Sequence, residues 1–122
     1  MNKQQNLLQS FYNAFSGIKY FFLHDRNGKI HLAAAIAVIA VSFVLKLTPG
    51  EWATVLLCIA IVTALEMMNA AIEKLCDMVE ANFHPVVKII KDVSAAAVLW
   101  CAIVSAVIAC IIFIPKIIQL LS

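Results

Sequence analysis

The sequence predicts an all-α integral membrane protein, with three transmembrane helices preceded by an N-terminal amphipathic surface helix. Three observations carry that prediction. Hydrophobic residues make up 64% of the 122-residue chain and charged residues 13%, against roughly 45–50% and 25% in soluble domains. A chain of this length cannot hide so much apolar surface in its own core, so most of it must face lipid or other helices. The apolar residues also gather in three long runs, and the lysines and arginine gather beside the ends of those runs. The length suits a single domain, 1–122.

The elements follow in chain order. Over residues 1–24, Leu7, Leu8, Phe11, Phe15, Ile18 and Phe22 recur at helical spacing, with Gln4, Gln5, Gln9, Asn13 and Ser16 elsewhere. This is the pattern of a helix lying on a membrane surface, apolar side down, or packed on protein. A spanning helix needs about 20 mostly apolar residues. The third run, 93–114, passes easily. The first, 30–47, and the second, 52–72, qualify once Lys46 and the Glu66–Glu73 region sit at interfaces. Between them "LTPGEW" reads as a tight turn in which Pro49-Gly50 stops one helix. Glu51 then falls in the first turn of the next, where the helix dipole favours an anion, and Trp52 suits a membrane–water boundary. Seven lysine and arginine residues precede the first run or lie between the second and third; Lys46 and Lys116 are the two on the other side. That asymmetry predicts a cytoplasmic N-terminus and 73–92 loop, with the C-terminus outside.

Several function classes are excluded or disfavoured. Cys58, Cys76, Cys101 and Cys110 form no C-x-x-C pair, so they read as buried small hydrophobes rather than a disulfide framework or zinc site. A net charge of +2 without a basic cluster gives no sign of a nucleic-acid partner. No signal peptide is visible, so the first apolar run is expected to stay in the mature protein. Gly17, Gly28 and Gly50 are the only glycines, too few for a phosphate-cradling glycine loop.

The informative stretch is "EMMNAAIEKLCD", 66–77. Helical spacing puts Glu66, Asn69, Glu73 and Asp77 on one face, with Ala70 leaving room beside them. Intramembrane ionisable residues are costly to keep and by default mark function. Three acids on one stripe repel, and a divalent cation would compensate them; magnesium takes oxygen ligands, typically carboxylates plus substrate phosphates. On the same membrane side Lys88, Lys91, Asp92 and Ala95 share a face, where a lysine can meet a phosphate as a point charge or serve as an anchor. "HDRNGKIH", 24–31, adds oxygens from Asp25 and Asn27 and nitrogens from Lys29 and His31, although spacing alone favours an ordinary polar collar there. The set fits chemistry between a phosphate donor and a lipid headgroup, with Glu66, the deepest acid, as general base on a lipid hydroxyl. Two other readings stand beside it. One is a small ion-coupled transporter with Glu66 as its proton site, although such sites sit near the bilayer midplane. The other is a non-catalytic assembly protein whose alanine faces only pack helices.

"ALEMMNAAIEKLCD" followed by "FHPVVKIIKDVSAAAVL" resembles the signature of the prokaryotic diacylglycerol kinase family, which includes undecaprenol kinases. "DRNGKIH" and "EW" (51–52) are most similar to the undecaprenol kinase branch. The resemblance implies a homotrimeric, multi-pass enzyme of the bacterial inner membrane, active on the cytoplasmic side. It would transfer the ATP γ-phosphate to a lipid alcohol, diacylglycerol or undecaprenol, with magnesium. Carried over by position, Glu66 is the proton acceptor and Asn69 sits beside the reacting centre. Ala95 is a substrate-positioning site. Glu73 and Asp25 bind metal and nucleotide, and Asn82, Phe83, His84, Lys91 and Asp92 contact nucleotide. The site would lie between subunits. Asp25 stands where the family usually has Glu, Lys29 where the related branch tends to have Arg, and Ala95 where some members have serine.

Overall fold

The computed structural model describes residues 6–122 as four helices: α1 Leu7–His24, α2 Arg26–Val44, α3 Pro49–Val79 and α4 Pro85–Leu121. Lys3, Gln4 and Gln5, which entered the surface-helix and charge readings, lie outside the described residues. Three of the four helices, α2, α3 and α4, are long and apolar enough to cross a membrane.

Local chemistry explains each boundary. Asn6 caps α1 by accepting from the Gln9 amide at 2.7 Å. Asp25 serves both neighbours. Its backbone N–H closes α1 on the Phe21 carbonyl, and its side chain opens α2 by accepting from the Gly28 amide at 2.9 Å. Gly28 is needed there for space, since a Cβ would come within 2.5 Å of the Phe21 carbonyl oxygen. A corner of one residue between two helices therefore rests on Asp25 and Gly28 together.

The α2–α3 turn departs from the sequence reading. α2 stops at Val44, and Lys46 takes a left-handed backbone (φ 55°). Pro49-Gly50 does not end a helix; it begins one. Thr48 is the N-cap and forms a reciprocal capping box with Glu51, and Pro49 occupies the first turn. Proline suits that position because its missing N–H would be unpaired there anyway. Phe43 and Trp52 close the turn edge to face, 4.8 Å between centroids.

α3 and α4 outrun their apolar cores. Their 31 and 37 residues correspond to roughly 46 and 55 Å at 1.5 Å per residue, more than the ~30 Å hydrocarbon layer. The whole 66–77 stripe thus belongs to one unbroken helix. Pro115 lies inside α4 without ending it; a spanning helix tolerates the lost hydrogen bond where other groups re-satisfy the freed carbonyl.

α3 packs chiefly on α4, then on α2, and α1 packs on α2. Ion pairs tie the α3–α4 couple near both ends, Glu51 to Lys116 at 3.0 Å and Asp77 to Lys91 at 2.7 Å. The buried apolar set is thin: among the described residues it is Phe21, Leu47, Val55, Val62, Cys76 and Val98. Large apolar side chains along all four helices are exposed, as expected where lipid or another chain supplies the contacts. On α1, Leu7, Leu8, Phe11 and Phe15 face outward while Phe21, absent from the predicted stripe, is the buried residue. The cysteines are free thiols, and the expectation that they are buried holds only for Cys76; Cys58 and Cys101 are half-buried and Cys110 is exposed.

Candidate active site

The polar stripe of α3 meets α2 on one side and α4 on the other. Glu66 and Asn69 are each 4% exposed, whereas Glu73 and Asp77, one and two turns further on, are exposed. The four residues differ in what holds them. Glu66 Oε2 lies 3.7 Å from His31 Nε2 of α2, a charge contact when the imidazole is protonated but too long for a hydrogen bond. Asn69 is bonded at both ends of its amide: Ser94 Oγ of α4 donates to its Oδ1 and its Nδ2 donates to Glu73 Oε1, each at 2.7 Å. Asp77 accepts from Lys91 Nζ at 2.7 Å.

A cavity of about 350 Å³ opens between α2, α3 and α4. His31 lies on its wall, with Ala34, Val38, Val62, Ala102 and Phe113 among the small and apolar residues that form the rest. His31 therefore stands between the buried carboxylate and an apolar cavity among the three helices.

The other predicted site residues are distributed as follows. Asp25 lines a separate cavity of about 340 Å³ with Met67, Ala70 and Lys74, and its Oδ1 is engaged as the α2 cap. Lys74 stands 5.5 Å over the Tyr20 ring in the same region. Asn82, Phe83 and His84 form the α3–α4 connection. The Asn82 amide donates to Glu80 Oε1 at 3.2 Å, and His84 caps α4 by accepting from the Val86 amide at 3.1 Å. Phe83 is exposed. Asp92 pairs with Lys88 one turn earlier on α4 rather than facing the stripe's acids, and Ala95 is exposed in the single chain. The repulsion expected along the stripe is partly relieved within the chain by Lys91 and by the Asn69 amide. Ser94 was missed because nothing in its local pattern separates it from the alanines beside it; its contact with Asn69 spans 25 residues.

Among the described residues no three His, Cys, Asp or Glu side chains converge as a metal cage. The donor chemistry still suits magnesium. Glu73 and Asp25 are oxygen donors, each with one oxygen in a hydrogen bond to a neutral N–H, and among the described residues neither forms an ion pair with a lysine. Magnesium ordinarily takes one or two carboxylates, leaving the remaining positions to phosphates and water.

Comparison with known proteins adds independent support. The family described as prokaryotic diacylglycerol kinase matches residues 12–113. The chain is 36% identical over 115 residues to an undecaprenol kinase of Bacillus subtilis (strain 168), covering 94% of each. It is 35% identical over 117 residues to a diacylglycerol kinase of Synechocystis sp., covering 95% of this chain and 67% of that one. These matches favour a kinase over the transporter reading. A buried carboxylate and amide on a helix long and apolar enough to cross a membrane, a lysine paired with the end of the same polar stripe, and a family match over most of the length lead to one conclusion: this chain belongs to the prokaryotic diacylglycerol kinase family.

Proposed function

We propose that this lipid kinase transfers the γ-phosphate of ATP to the primary hydroxyl of a membrane lipid alcohol, with Glu66 as general base. Family membership makes the chain a lipid kinase. The observation that carries the finer reading is Glu66 itself, 4% exposed, beside His31 on the wall of the apolar cavity. A lipid whose tail lies along that cavity would bring its headgroup to the carboxylate. Glu66 would take the hydroxyl proton as the oxygen attacks phosphorus and the bond to the departing ADP breaks.

Asn69 would hold the reacting groups beside Glu66. Glu73 and Asp25 would hold magnesium, which neutralises phosphate charge when bound. Lys91, held in place by Asp77, would meet the nucleotide phosphates, with Asp92 and the Asn82–Phe83–His84 connection near the nucleotide. Ala95 would leave space for substrate. We place this site at the cytoplasmic face of the bacterial inner membrane, with α1 lying on the membrane, because most lysines and the arginine flank that end of the spans. A homotrimer would cover the exposed apolar faces and complete the site between subunits. The relative of which this chain covers 94% is named an undecaprenol kinase, which favours a polyprenyl alcohol over diacylglycerol.

The test is purified protein in lipid with magnesium ATP and both alcohols in competition, read as phosphorylated product. Preferential labelling of undecaprenol is expected. Preference for diacylglycerol would correct the substrate, and no phosphorylated lipid of either kind would remove the reading.

A further inference from the structure

We propose that Ser94 is a positioning residue, whose hydroxyl locks the Asn69 amide and through it holds the Glu73 carboxylate ready for a divalent cation. The inference rests on the kinase reading for its purpose and on three atoms for its geometry. Ser94 Oγ donates to Asn69 Oδ1, and Asn69 Nδ2 donates to Glu73 Oε1, both at 2.7 Å. The relay crosses from α4 to α3 and then runs one turn along α3.

The direction of the relay follows from donor and acceptor chemistry. Glu73 offers only acceptors when ionised, so the NH₂ end of the amide must face it. The carbonyl end then needs a donor, and Ser94 is the hydroxyl within reach. One hydrogen bond would leave the amide free to pivot about Glu73; two on opposite ends fix its plane. Asn69 is 4% exposed, so water is poorly placed to substitute for a lost partner.

The charge pattern gives the relay its purpose. Asp77, one turn beyond Glu73, is paired with a lysine. Glu73 is held instead by a neutral amide, which orients a carboxylate without cancelling its charge. That is the arrangement a cation ligand needs: partners of the ligand fix its orientation, and the metal supplies the positive charge. The inter-helix bond ends on Asn69, and the bond from Asn69 along α3 carries the constraint on to Glu73.

The experiment is a Mn²⁺ titration of the purified full-length protein with a non-hydrolysable ATP analogue, followed by electron paramagnetic resonance, beside steady-state kinetics with magnesium ATP and lipid. Ser94→Ala is expected to weaken Mn²⁺ binding about tenfold or more, the usual scale for losing a ligand's supporting partner. It should raise the magnesium requirement and leave KM for the lipid unchanged. Ser94→Thr and Ser94→Val form the control pair, nearly equal in volume and differing in the hydroxyl. Thr is expected to retain Mn²⁺ binding and Val to lose it, whatever either does to thermal stability. Wild-type Mn²⁺ affinity in Ser94→Ala, or equal affinities in the Thr and Val variants, would overturn the proposal. Absence of Mn²⁺ binding in the wild type would overturn it as well. A wild type that binds Mn²⁺ in a Ser94-dependent way but phosphorylates no lipid would support the relay and refute the kinase reading instead.

Discussion

Glu66→Gln preserves the size of a buried side chain and removes its ability to accept a proton. Turnover should fall by about 10²–10⁴, the usual contribution of a general base, while the helical circular dichroism spectrum and assembly stay unchanged; near-normal phosphorylated product would refute the assignment. His31→Ala tests a different property. The imidazole is 3.7 Å from the carboxylate and on the cavity wall, so its loss should lower turnover less than Glu66→Gln and also raise KM for lipid. Asp25 is bound by two demands at once, because Oδ1 caps α2 while the carboxylate is proposed to meet metal. Asp25→Asn keeps a cap acceptor, so magnesium dependence should change with little loss of thermal stability, whereas Asp25→Ala should lose both. Removing a cap of this kind costs about 0.5–2 kcal/mol.

Between elements, the α1–α2 corner is the most constrained junction. A methyl at position 28 would come within 2.5 Å of a backbone oxygen, and backbone cannot swing aside as a flexible side chain can. Gly28→Ala should therefore force α1 away from α2, exposing Phe21, with faster proteolysis between them as the measurement. Substitution at Gly17 or Gly50, where an added Cβ meets nothing within 4 Å, should leave the proteolysis pattern unchanged. The α2–α3 turn is held by the Thr48–Glu51 capping box and by the pair between Glu51 and Lys116 of α4.

For the whole molecule the decisive feature is how little one chain buries. Among the described residues six apolar side chains form its core, while leucines, isoleucines, valines and phenylalanines cover its outer faces. In lipid such faces are stable against acyl chains, and helix association relies on small residues that allow close approach. If copies assemble into a trimer with sites between them, Asp25 from one subunit meeting the α3 stripe of the next, mixing two inactive variants, Glu66→Gln and Asp25→Ala, should restore part of the wild-type turnover. Failure of every mixing ratio to restore activity would place each site within one subunit. Orientation is open to a separate check: a cysteine at Phe83 should react with an impermeant thiol reagent only from the cytoplasmic side, and one at Thr48 only from outside, in a background lacking the four native cysteines.

Much of this protein was legible in one dimension because the relevant signals are local. Continuous apolar runs report lipid exposure directly, and the 3.6-residue period alone aligns Glu66, Asn69, Glu73 and Asp77 on one side of a helix. Helix ends were less legible. Pro49-Gly50 carries the residues of a stop signal, and only the Thr48 cap shows that it starts α3. Likewise, the acids of α3 and the lysines of α4 were visible as sets, but not who pairs with whom: Lys91 takes Asp77, Lys88 takes Asp92, and Glu73 is left to an amide. The sequence by itself determined the spans, the polar face and the family resemblance, since each depends on near neighbours along the chain. Tertiary structure alone decided that Ser94 and His31 join that face, because their partners lie 25 and 35 residues away and contacts across that separation are set by helix packing rather than periodicity.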